Sequence, residues 1–379
     1  MGSSAATVSL CPPSKMLKDE NKFQTYDFNL LQKEAHIPEE FIWPSGDLIK
    51  TTEEEFDVPL IDLAAIINGD DDEDGIATAA EILRKACEKH GFFQVINHGV
   101  DPHLISSAHQ EFDSIFKLPL DKKLSTLKNA TGYSVAHAGR FSASLPWKET
   151  FTFRYKHKND SDSQVVDYFK SVLGEDLQHT GLVYQKYCEA MKEVFLAIAE
   201  LLAISLGADR SHFQKFFEDA ESIMRCNSYP ACNSPSLTFG TGPHCDPTSI
   251  TILHEDQVGG LEVLVDNKWL AVRPRPDSFV INIGDTFKVL SNGRYQSCLH
   301  RVLVNREVER RSLAFFVTPR GDKTVRPPDN LIGKEEPRKY PDFTWSEFFE
   351  FTQKHHRSDA ATLQDFIKWL GASKPSNFE

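Results

Sequence analysis

Two regimes of apolar spacing divide this chain, mostly helical before about residue 221 and mostly alternating after it. From Ile76 to His90 the positions Ile76, Ala79, Ala80, Leu83 and Cys87 recur on one helical face, and Gly91 stops the run. A strand over 92–97 follows. Asp101-Pro102 then offers a cap and a first-turn proline to a helix ending near Pro119, with Leu104, Ile105, Ala108, Phe112, Ile115 and Phe116 on its buried face. A longer helix is predicted over 182–206, its stripe carried by Tyr187, Met191, Val194, Ile198, Leu201 and Leu202 and its end by Gly207. Residues 58–63 read as a first strand and 150–155 as an alternating one. The aromatic, glycine-bearing stretch 128–150 reads as a loop, the polar run 156–164 as a linker, and the acidic run 70–74 as a solvated loop. Residues 1–25 show no period and are expected to be mobile, while Phe41-Ile-Trp-Pro44 is an apolar patch able to pin this arm to the body.

Past Glu221 the runs shorten, and strands are predicted over 223–229, 249–254, 261–265, 269–272, 279–283, 300–305 and 312–318. Asp266-Asn267 joins two of them as a hairpin signal. So many short strands in so little chain argue for a sandwich or jelly roll with a site in its mouth, and the preceding helices make the whole an α+β chain.

Composition narrows the function. With 42 Lys plus Arg against 55 Asp plus Glu, the 379-residue chain carries a formal charge of -13, which argues against nucleic acid or an anionic membrane and for a small-molecule partner. Seven scattered cysteines without paired zinc spacing suit a reducing compartment. No apolar run approaches the ~20 residues of a membrane span, and the N-terminus lacks the regions of a secretory signal, so a cytoplasmic protein is expected.

Candidate chemistry centres on Gly240-Thr-Gly-Pro-His-Cys-Asp-Pro247. In an extended chain His244 and Asp246 face the same way, with Cys245 turned aside, and His300 is the expected third metal ligand. Two histidines and one carboxylate fit the facial triad of non-haem Fe(II) oxygenases, with open positions for a 2-oxo acid and dioxygen. The same set also serves zinc hydrolases, so the triad alone leaves both open. Arg310 and Ser312 share a face of the next strand, and a guanidinium fork beside a hydroxyl matches the far carboxylate of a five-carbon 2-oxo diacid. Tyr229 offers a further phenolic hydrogen bond. Cys298 has the parity of His300 and is expected close to the metal, while His98, His103 and His109 have no carboxylate at ligand spacing and read as structural or exposed.

With these residues in place the chain resembles the plant 2-oxoglutarate and Fe(II)-dependent dioxygenases from about Val58 to Pro328. His244, Asp246 and His300 fall on the family's iron ligands, Arg310 and Ser312 on its 2-oxoglutarate pair, and Tyr229 on a further 2-oxoglutarate contact. Within the family it closely resembles the gibberellin 20-oxidases. Leu145-Pro146-Trp147-Lys148-Glu149-Thr150 matches their gibberellin-binding segment, and 282–286 and 340–345 extend the likeness. Ser228 departs from the motif, which normally has tyrosine there. The resemblance implies a distorted double-stranded β-helix, a jelly roll, backed by helices. It divides the chain into an arm at 1–55, partly disordered, an N-terminal dioxygenase region at 56–165, backing helices at 166–220, the jelly-roll core at 221–322 and a C-terminal segment with a helix at 323–379. Implied too are Fe(II), 2-oxoglutarate and ascorbate as cofactors, a monomer, and oxidation of carbon 20 of a gibberellin from methyl to alcohol to aldehyde, then carbon loss with lactone formation. Gibberellins are apolar skeletons bearing carboxylates, so a cation is expected in an aromatic pocket, with Lys148 and Arg140 as candidates. The alternatives are a related dioxygenase acting on a later gibberellin or a flavonoid, a zinc hydrolase, and a non-catalytic binding protein.

Overall fold

The computed structural model describes residues 16–18, 24–46, 48, 54–69, 72–128, 131–136, 144–158, 163–355 and 360–373. In chain order the core strands are β1 (Leu60–Asp62), β2 (Phe92–Ile96), β3 (Gly132–Val135), β4 (Glu149–Lys156), β5 (Glu221–Tyr229), β6 (Thr241–His244), β7 (Ile250–Glu255), β8 (Leu261–Val265), β9 (Lys268–Ala271), β10 (Phe279–Ile283), β11 (His300–Val302) and β12 (Arg310–Thr318). They form an eight-stranded sheet in the order β1-β2-β10-β7-β12-β5-β4-β3 and a four-stranded sheet in the order β9-β8-β11-β6. Every pairing is antiparallel except that of β1 with β2. The α+β jelly roll expected from the strand pattern is the observed fold.

Strand alternation divides the interior into two cores. Phe93 and Val95 of β2, Phe151 and Phe153 of β4, Ile252 of β7 and Leu313, Phe315 and Val317 of β12 point outward and pack with Met191, Phe195, Ile198 and Leu202 of the helix Gln178–Ser205. Their neighbours in sequence point the other way. Phe92, Tyr229, Leu253, Val280 and Ala314 from the large sheet join Leu261, Val263, Val302 and Cys298 in a smaller cluster between the sheets. The helix Glu73–Lys89 ends at Gly91 with φ +67°, and a Cβ there would stand 1.9 Å from the Gln296 carbonyl oxygen. Asp101 caps the helix Pro102–Phe116, and Asp266 and Asn267 turn β8 into β9 with φ 49° and 61°.

Three expectations are corrected. The stretch read as a loop over 128–150 contains β3, which pairs with β4; its period is hidden because the strand is only four residues long and opens on Gly132. The run 156–164 is no break between domains. Gln164 hydrogen-bonds the backbone N–H and C=O of Lys156 at 2.8 and 2.9 Å, and the helix Gln164–Leu173 packs at once into the same core through Val165 and Phe169; residues 159–162 lie outside the described residues. Within the arm, Met16–Lys18 pairs with Gln24–Tyr26. The rest of 1–25, and Asp70 and Asp71, lie outside the described residues. Phe41 is fully buried against Phe28 and Trp147, as the apolar patch led one to expect.

Candidate metal centre and its surroundings

β6 ends on His244, β11 begins on His300, and the two are register partners, while Asp246 sits in the turn that leads into β7. One donor atom from each of the three lies within 4.8 Å of the others. His244 Nε2 is 3.5 Å from Asp246 Oδ1, and His300 Nε2 is 3.9 Å from Asp246 Oδ2. Each ring is oriented from behind: His244 Nδ1 is 2.9 Å from the Gly242 carbonyl and His300 Nδ1 is 3.3 Å from that of Cys298. An N–H donated there leaves the Nε2 lone pair free for a metal.

The carboxylate is held as firmly. Asp246 Oδ2 accepts from Thr251 Oγ1 at 2.6 Å and from Asn282 Nδ2 at 3.5 Å. Burial works against its ionisation, but the His300 and His244 imidazoles and the Thr251 hydroxyl hold it well below the usual carboxylate range. Burial and the His244 neighbour push the His300 imidazole down to about 4. Behind the Asp246 turn stands the 282–286 motif. A Cβ on Gly284 would meet the Thr248 carbonyl oxygen at 2.0 Å, Asp285 N donates to Asp246 O at 2.8 Å, and Thr286 Oγ1 donates to Pro247 O at 2.7 Å. That motif is a brace for the metal-facing turn.

Register on β12 and β5 places Arg310 opposite Tyr229 and Ser312 opposite Asn227. Arg310 is 1% exposed; its Nη2 donates to Glu255 Oε2 at 2.6 Å and its guanidinium lies 5.0 Å from the centre of the Tyr229 ring. Among the described residues its Nε and Nη1 have no hydrogen-bond partner. Burial opposes the charge, but Glu255 and Tyr229 outweigh it and keep the group a cation. Two unpaired donor atoms at such depth cost on the order of 1–3 kcal/mol each, which an incoming carboxylate relieves. Ser312 Oγ accepts from Asn227 Nδ2 at 3.1 Å, leaving its own proton to donate, and the Tyr229 hydroxyl is 3.4 Å from Thr241 Oγ1. The donor set therefore fits both a divalent metal and a dicarboxylate. Ser228, on the opposite face of β5, donates to Glu309 at 2.6 Å and touches none of this.

The 145–150 segment is split by parity. Leu145 and Trp147 are core residues. Trp147 stacks edge-on against Phe28 and Phe41 and donates from Nε1 to Pro230 O at 3.0 Å; Pro146 is buried beside it. Glu149 pairs with the buried Lys123 at 3.0 Å and accepts from the Tyr133 hydroxyl, away from the triad. Lys148 Nζ donates to Thr241 Oγ1 at 3.1 Å, and Thr241 bridges it to Tyr229. Thr150 shares the parity of Thr152, whose hydroxyl accepts from Arg225. Arg140 lies outside the described residues.

Sequence reasoning missed Glu255, Thr251, Asn282 and Arg225, although each has the strand parity of a neighbour that also faces the interior, and that parity was the available signal. His98 is buried and His109 half-buried, with His109 Nε2 2.8 Å from His254 Nδ1, and His103 is exposed. Cys298 Sγ lies 3.9 Å from His300 Nδ1, and burial pushes its thiol far up.

Comparison with known proteins adds an independent line. Residues 220–319 match the family described as the 2OG-Fe(II) oxygenase superfamily, and 58–172 match that described as the non-haem dioxygenase in morphine synthesis N-terminal. Gibberellin 20 oxidase 2 of Arabidopsis thaliana is 48% identical over 95% of this chain and 94% of its own length. Gibberellin 20 oxidase 1 of Arabidopsis thaliana is 51% identical over 90% and 91%, and gibberellin 20 oxidase 2 of Oryza sativa subsp. japonica is 51% identical over 90% and 87%. Among solved structures, JOX2 in complex with 2OG, Fe and JA superposes with a TM-score of 0.76 at 29% identity, covering 89% of this chain and 96% of that one. The rice dioxygenase for auxin oxidation gives 0.68 at 30% identity, covering 81% and 99%.

Proposed function

Since the chain belongs to the gibberellin 20 oxidases of the 2-oxoglutarate and Fe(II)-dependent oxygenase superfamily, we propose that it oxidises gibberellin precursors at carbon 20, from methyl through alcohol to aldehyde, with carbon loss and lactone formation. The observation that carries the reading is the buried Arg310 guanidinium, whose Nε and Nη1 have no partner among the described residues, opposite Tyr229 of the inter-sheet cluster that also holds Val263, the register partner of His300.

His244 and His300 would hold Fe(II) through Nε2 and Asp246 through a carboxylate oxygen, while Arg310, Ser312 and Tyr229 would receive the far carboxylate of 2-oxoglutarate. When bound, iron and 2-oxoglutarate supply the oxidising chemistry, consuming dioxygen and releasing succinate and carbon dioxide. The chain's own work is placement. Thr251 and Asn282 fix the Asp246 carboxylate, the Gly242 and Cys298 carbonyls fix the imidazole tautomers, and Leu253, Val263, Ala314 and Phe316 exclude water from the space between the sheets. Of the 145–150 segment, Lys148 and Thr150 have the inward parity for substrate contact; Leu145, Pro146, Trp147 and Glu149 shape the wall behind them. Ascorbate would keep the iron ferrous, and a monomer in the cytosol, free of nucleic acid, suits the net charge of -13. No described helix is long and apolar enough to cross a membrane.

The test is purified protein with Fe(II), ascorbate, 2-oxoglutarate and a carbon-20 gibberellin precursor, followed by mass spectrometry with His300→Ala as control. Lactone formation lost in the variant is the expected result. Succinate without gibberellin oxidation would keep the dioxygenase and remove the substrate.

A further inference from the structure

Arg225 is a further cation on the inner wall of the large sheet. It shares a strand face with Asn227 and Tyr229, and register places it opposite Ala314, two rungs beyond Ser312 and Asn227 in the direction away from Arg310. Its Nε donates to Thr152 Oγ1 at 3.3 Å and its guanidinium carbon lies over the Phe316 ring, 5.2 Å from its centre, within cation–π range. Phe316 is in turn the register partner of Thr251, the residue that holds Asp246.

Arg310 has Glu255 as a salt-bridge partner, but no carboxylate comes within ion-pair distance of Arg225 among the described residues. Burial lowers its pKa while the Asp246 and Tyr229 charges resist this, and the contacts from Phe316 to Thr251 and on to Asp246 connect it to the metal ligands. Four residues along β5 span about 13 Å, so Arg225 is too far from Arg310 for both to grip one end of a five-carbon diacid. The interior therefore offers a second anion-binding position, walled by Phe316 and near the metal ligands.

We propose that Arg225 binds a carboxylate of the polycyclic acid substrate and thereby sets which carbon of the skeleton lies over the metal. This rests on the proposed gibberellin reading and specifies it. A fork set over Phe316 and tied by Thr152 is already oriented, so a carboxylate docks without ordering a long side chain. Arg225 acts by positioning: it takes no part in the reaction of 2-oxoglutarate.

The experiment compares wild type, Arg225→Lys and Arg225→Gln on a carbon-20 gibberellin acid and on its monomethyl esters, each blocking one carboxylate. Affinity is read by anaerobic calorimetry on the Fe(II)- and 2-oxoglutarate-loaded protein, where no turnover takes place, and KM, kcat and succinate release without gibberellin are read in air. For wild type, one ester is expected to bind at least tenfold more weakly than the acid. Arg225→Gln is expected to weaken the acid by a factor of ten to a hundred, to bind that ester as wild type does, and to leave the KM for 2-oxoglutarate and the uncoupled succinate rate within about twofold; Arg225→Lys should fall between. Equal wild-type affinity for the acid and every ester would overturn the proposal without reference to any variant, as would a variant that loses acid and ester equally. A wild type that releases succinate but binds no gibberellin defeats the functional reading itself, a result distinct from either of these.

Discussion

Thr251 touches no proposed ligand, yet its hydroxyl is 2.6 Å from Asp246 Oδ2 and is among the groups that keep that carboxylate ionised in a buried site. Such outer contacts typically carry 10- to 100-fold in metal affinity. Thr251→Val preserves the branched shape inside β7 and removes only the donor. It is expected to weaken Fe(II) binding about tenfold or more in an anaerobic titration while leaving the thermal midpoint nearly unchanged; unaltered affinity would mean that Asn282 alone fixes the carboxylate. Arg310 shows why residue type matters at the other end of the site. A lysine would place one ammonium where the guanidinium offers an arm to Glu255 and two free donor atoms to a ligand.

At the scale of elements, the arm and the metal strand are mechanically joined. Trp43 donates from Nε1 to Leu145 O at 3.3 Å, its backbone N–H donates to Leu237 O at 2.9 Å, and its ring lies so close to β6 that a Cβ on Gly242 would stand 2.1 Å from it. Gly242 also supplies the carbonyl that orients His244. Gly242→Ala should therefore push the indole and the His244 strand apart, at roughly 1–3 kcal/mol of stability by the usual cost of overpacking, with weaker iron retention. Chemical denaturation and metal titration would check both, and Trp43→Leu in the same chain should restore most of each. Failure of that rescue would show that the arm does not bear on the metal strand.

For the molecule as a whole, the packing of helices against the large sheet holds histidines that must stay neutral. Burial pushes His109 down to about 3 and His157 to about 4, and His300 behaves similarly before metal is bound. A base with a depressed folded-state pKa binds fewer protons folded than unfolded between that value and its ordinary 6.5, so stability is present above 6.5 and is lost as pH falls toward 4. Asp285, raised to about 7 by burial, opposes this, as do the raised Glu255 and Asp256, while the lowered His98 and His254 add to it. The metal-free protein is expected to show urea midpoints that decline steadily from pH 6.5 to 4.5, and His157→Phe should flatten the decline. A flat wild-type profile would mean that these rings are hydrated.

Spacing alone indicated much of this protein. The helices at 73–89, 102–116 and 178–205 came from apolar stripes, most of the core strands from short apolar runs and alternation, and the candidate ligands from parity, since residues two apart on a strand face one way whatever surrounds them. Local signals could not say which strands become neighbours. The approach of His300 to His244, the burial of Glu255 against Arg310, the outward turn of Glu149 toward Lys123 and the place of Arg225 beside Phe316 depend on pairing between segments far apart in sequence. Short β3 and β6 and the Met16–Lys18 ribbon were likewise invisible, because a few residues carry no readable period and only their partners make them strands. The sequence by itself determined which side chains could share a face; the tertiary structure decided which faces meet, because sheet register is set by the packing of both cores at once.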